Sequence, residues 1–140
     1  MTLLSRRRLT ALFWLALWLS SLTLPVAYLP GDRWMGWGVL LTGFLGLLFG
    51  QFGWFANLGF LASFGLMLGT RRPNSADLVA ATLSLAAVGD ALFWRKVYSD
   101  DGSSTVQALG AGYYLWLVAI VGLAASVFWV RFSQVPASEP

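Results

Sequence analysis

Acid–base, nucleophilic and metal chemistry each need particular side chains, and this sequence of 140 residues holds few of them. It has no His and no Cys. That removes the commonest general base, the commonest transition-metal ligand and any thiolate nucleophile. The one lysine, Lys96, has no Ser or Thr at a spacing that would pair it as a base, so no catalytic residue is assigned and an enzyme is not expected. Asp90 is the sharpest remaining candidate. It lies inside an apolar run, where an ionisable residue marks a proton or cation site unless it reaches the boundary and pairs with Arg95 or Lys96. Gln51 and Asn57 form the second candidate. They are the only amides of a long apolar stretch, placed either to bond across helices or to line a polar pocket at the hairpin turn, and Asp90 could face either of them or Thr42. Asp100 and Asp101 could together hold a hard cation, but the EF-hand ligand spacing is absent and a solvated turn is the plainer reading. No metal and no cofactor is assigned.

The elements that would position these residues are strongly apolar. Hydrophobic residues make up 58% of the chain and charged ones 11%, against about 25% charged in a soluble domain. The basic residues cluster at the ends of apolar runs and form no stripe, so nucleic acid is not an expected partner. These features predict an all-α polytopic transmembrane bundle. Five spans are expected near residues 9–29, 34–52, 54–70, 77–94 and 112–130, with the N-terminus cytoplasmic behind Arg6, Arg7 and Arg8. An arginine-rich start before an apolar run also fits an export signal, but the run from Leu9 to Leu29 has spanning length.

Residues 34–70 admit two readings. One helix over this uncharged stretch would be about 55 Å long, too long for a hydrocarbon core of about 30 Å. That favours a hairpin breaking between Gly50 and Asn57, where Gln51, Trp54 and Asn57 collect. Against it, Gly36, Gly43, Gly46, Gly50 and Gly53 make one continuous small-residue face, and the charge count favours a single tilted span, giving four crossings. Gly112, Ala119, Gly122 and Ser126 make a second such face, able to dock on the first. Helix packing is therefore assigned to Gly43, Gly46, Gly50, Gly53 and Gly122. Trp14 and Trp18, four apart, read as packing or lipid-facing bulk. After Pro73, Asn74 or Ser75 is an N-cap with Asp77 in the first turn. The tail from Gln134 is polar and expected to be mobile.

Two motifs, GQFGWFANL at 50–58 and LGAGYYLWL at 109–117 after Asp100-Asp101-Gly102, resemble those of a group of small uncharacterised multi-span bacterial membrane proteins. The resemblance covers residues 36–125. It implies a helical bundle in the bacterial inner membrane and attaches no activity. Such proteins commonly carry Pro after the Asn of the first motif, where this chain has Leu58.

Besides lipid or hydrophobe binding, for which only the many aromatics speak, two functions are compatible with these features. The first is an integral membrane protein of structural or interaction type, joining membrane lipids, other membrane proteins or further copies of itself through its Gly- and Ala-rich faces. The alternative is a small transporter or channel subunit with a polar path at Asp90, Gln51 and Asn57.

Overall fold

In the computed structural model, which describes residues 3–99 and 102–133, four helices lie side by side and two small sheets sit together at one end of them. Helix α1 is Leu3–Leu22, α2 Gly36–Thr42, α3 Ala56–Leu68, α4 Ser75–Ala91 and α5 Ala111–Phe132. Strands β1 (Pro25–Leu29), β2 (Asp32–Met35) and β5 (Ala108–Leu109) form an antiparallel sheet in the order β2-β1-β5. Strands β3 (Lys96–Ser99) and β4 (Gly102–Thr105) form a separate antiparallel pair. The long helices α1, α3, α4 and α5 surround a core of Phe60, Met67, Ile120, Leu123 and Val127.

Local chemistry accounts for several boundaries. Asn74 caps α4 by accepting from Asp77 N, while the Asp77 carboxylate accepts from Asn74 N, a complete capping box. Pro25 opens β1, whose N–H groups from Val26 onward are free to pair. Gly31 takes φ +78° between β1 and β2, a left-handed conformation that makes the turn tight.

The five-span all-α bundle is overturned, and so is its four-span alternative. Two antiparallel sheets are present, and among the described residues only α5 is long and apolar enough to cross a membrane. Helix α1 has 20 residues, but Arg6, Arg7 and Arg8 occupy its first two turns. Helices α3 and α4, with 13 and 17 residues, are about 20 and 26 Å long, short of a hydrocarbon core of about 30 Å. The multi-pass transmembrane and multi-pass inner-membrane assignments fall with the span count, since α5 alone among the described residues has the length and apolarity of a crossing.

The stretch 34–70 does break after Gly50, but its first limb is no span. Residues 43–49 wind as a 3-10 helix, Gly50 turns the chain at φ +72°, and a second short 3-10 turn at Gly53–Phe55 leads into α3. Both ends of this limb are held near the sheets. Gly36 N donates to Leu24 O beside β1, and Gln51 Nε2 donates to Lys96 O at β3. The limb leaves the sheet end and returns to it.

Candidate functional site

Asp90, Gln51 and Asn57 all lie near the sheet end, around the break between the limb and α3. Asp90 stands in the last turn of α4. Its Oδ2 accepts from the backbone N–H groups of Phe52 (2.7 Å) and Gly53 (2.8 Å). These donors open a short helical turn, whose first N–H groups have no partner of their own, and a carboxylate is a strong acceptor for them. Gln51 clips the same break to β3 through Lys96 O at 2.9 Å, and Phe49 stacks on Tyr98 at 4.1 Å beside it. Thr42 does not join this group; its hydroxyl donates to Gly38 O one turn back.

Asn57 is buried in the first turn of α3, at 5% exposure. Its Oδ1 accepts from two indoles, Trp18 Nε1 on α1 at 3.0 Å and Trp116 Nε1 on α5 at 2.9 Å. Its Nδ2 donates to Trp54 O at 2.8 Å. One amide thus ties α1, α3, α5 and the 3-10 turn together. Around it, Ser84 donates to Ala56 O, Tyr113 donates to Ala91 O, and Trp18 stacks on Phe60. The three sequence candidates therefore meet in one belt, in which each makes its hydrogen bonds to the fold itself.

The glycines assigned to packing are placed as follows. A 3-10 winding stacks residues three apart, so Gly43 and Gly46 line up on one side of the limb. Trp54 lies against Gly43, with its Nε1 donating to Leu40 O, and Gln51 lies against Gly46. Here the small-residue face receives the chain's own next segment. Gly50 supplies the left-handed turn, and Gly53 meets Ala91 of α4. Gly122 lies against the Trp14 ring of α1, whose Nε1 donates to Ser126. The α5 face is thus filled by α1 and not by the limb.

Sequence reasoning did not single out Arg7, which is only 9% exposed. Its Nη2 donates to Leu66 O at 3.1 Å and Arg71 O at 3.2 Å, and burial lowers its hold on its proton below the usual guanidinium range. The only available signal was its place at the middle of three consecutive arginines, which does not tell which of them turns inward. Asp77 is paired bidentately with Arg71 at 2.8 and 2.9 Å. Partial burial raises its pKa, while Arg71 and the Asn74 N–H more than offset this and hold it below the ordinary carboxylate range. The acidic pair Asp100 and Asp101, and the tail from Gln134, lie outside the described residues. Among the described residues no three acidic side chains come together as a metal set.

No family model matches the chain, and no curated protein or solved structure is significantly similar to it.

Proposed function

We propose that this chain is an interaction protein whose outer apolar faces are covered by hydrophobic partners: lipid acyl chains, other proteins or further copies of itself. The observation that carries the reading is the distribution of exposed large apolar side chains. They occur on every helix and on the 3-10 limb: Leu12 on α1, Leu48 on the limb, Leu61 on α3, Leu83 on α4 and Trp129 on α5. Leu48, Phe93 and Trp129 are each at least three-quarters exposed, at 76%, 79% and 75%. Apolar surface on this scale marks interaction sites. An open groove of about 550 Å³ between α4 and α5, walled by Leu85, Val121, Ala125 and Phe128, extends it. The transporter reading has less support, because Asp90, Gln51 and Asn57 spend hydrogen bonds on holding the fold.

The test uses the purified full chain, with particle mass measured by light scattering in a mild detergent and after the detergent is removed. The expected result is that the protein carries detergent or lipid and self-associates when it is stripped. A triple variant, Leu48→Gln, Phe93→Gln and Trp129→Gln, should carry measurably less while unfolding at the same temperature. A wild-type chain that stays monomeric without detergent and retains no lipid would sink the proposal.

A further inference from the structure

The helix directions sort the charges. Helix α5 runs antiparallel to α1, with Gly112 against Ser21 and Leu24 and Gly122 against Trp14. Helix α3 ends where α1 begins, since Arg7 reaches Leu66 O and Arg8 Nε reaches Leu68 O at 3.0 Å. Helix α4 starts at that same end, where Asp77 meets Arg71. The end opposite the sheets therefore gathers Arg6, Arg7, Arg8, Arg71, Arg72 and Arg131, six of the nine basic residues of the chain. Among the described residues its only acid is Asp77, which is fully engaged with Arg71 and the α4 cap.

The other five arginines have no ion pair among the described residues. Arg7 and Arg8 are partly offset by the carbonyl dipoles at the end of α3, a favourable place for cations. That offset is incomplete for Arg7, which is nine-tenths buried with its Nε bonded to nothing. A buried guanidinium without a carboxylate is costly. Arg6, Arg72 and Arg131 stand exposed at the same end, and the 20-residue α1 points its positive N-terminal dipole the same way.

We propose that this arginine end is a binding site for phosphate anions, either the phosphate of an anionic lipid headgroup or a free phosphate. The guanidinium fork matches phosphate oxygens bidentately and keeps its charge at every accessible pH. The site is one helix-bundle end across, so it takes one or a few phosphates. It does not depend on the apolar reading above, since binding of a free phosphate needs no hydrophobic partner.

The test uses the full chain in a neutral detergent. One arm measures retention of phosphatidylglycerol against phosphatidylcholine from mixed micelles. The other measures thermal unfolding with inorganic phosphate against chloride at equal ionic strength. The variant is Arg6→Gln, Arg72→Gln and Arg131→Gln together, three exposed side chains with no protein partner among the described residues, so the fold should survive. Basic residues near an anionic surface each contribute appreciably to binding, so the wild type should prefer phosphatidylglycerol by about tenfold or more. High salt and the triple variant should each remove most of that preference. A lipid preference without a phosphate-specific stabilisation identifies the headgroup as the source, and the reverse identifies free phosphate. Equal retention of both lipids with no phosphate effect, or a triple variant that behaves as wild type in both arms, would overturn the proposal.

Discussion

Asn57 is the residue on which most depends. Removing its amide leaves Trp18 Nε1 and Trp116 Nε1 without their acceptor. An unsatisfied buried donor costs about 1–3 kcal/mol, so Asn57→Ala is expected to cost about 2–5 kcal/mol. Denaturant unfolding followed by tryptophan emission checks this, and a loss below about 1 kcal/mol would mean the indoles find other partners. Asp90 calls for a comparison of two variants. Asp90→Asn keeps a side-chain oxygen for the Phe52 and Gly53 N–H groups, whereas Asp90→Ala keeps none. As a cap, Asn should retain most of the stability and Ala should lose about 1–2 kcal/mol. A cation site would make the two variants equally damaging to a cation-dependent stabilisation, which thermal unfolding with and without divalent ions reads directly. Both residues are visible in the sequence because they are polar within apolar runs. Their partners are not visible there: Trp18 and Trp116 lie 39 and 59 positions from Asn57, and backbone donors leave no mark in a sequence.

Elements differ in how locally they are encoded. The start of α4 needs only Asn74 and Asp77, three residues apart, and is legible from that spacing. Asn74→Ala should cost about 1 kcal/mol. Asp77 gives the same element a pH dependence whose sign follows from its lowered pKa. A carboxyl that binds its proton more weakly folded than unfolded stabilises the fold at neutral pH. That contribution disappears as the pH falls through the folded-state value. Thermal unfolding measured from neutral pH down to about pH 3 should therefore fall more steeply in the wild type than in Asp77→Asn. Parallel curves would show that Arg71 and the cap do not set the carboxyl's titration. Residues 34–70 were harder to read because the length argument assumes α-helical rise throughout. The limb leaves the sheet end and is turned back to it at Gly50, so its apolar residues give no net advance along the bundle axis. An apolar run then signals apolar surroundings and does not by itself count crossings.

For the molecule as a whole, the path of residues 36–55 decides which ends lie together. If that limb had run the length of the bundle, α3 would return in the opposite sense. Arg71 and Arg72 would then sit beside the sheets, with Arg33 and Lys96. Because the limb leaves and rejoins the same end, α3 instead delivers Arg71 and Arg72 to the start of α1, with Arg7 Nη2 on Arg71 O as the direct link. The chain has no native Cys, so spin labels can be placed on introduced cysteines without further substitutions. Labels at Arg6→Cys and Arg72→Cys should be within about 20 Å of each other. Labels at Arg6→Cys and Arg33→Cys should be separated by the length of α1, about 30 Å for its 20 residues. Dipolar spectroscopy on the two pairs checks the arrangement without reference to any ligand. A 6–72 distance longer than the 6–33 distance would reverse α3, disperse the six arginines and remove the structural basis of the phosphate site together with the fold described above.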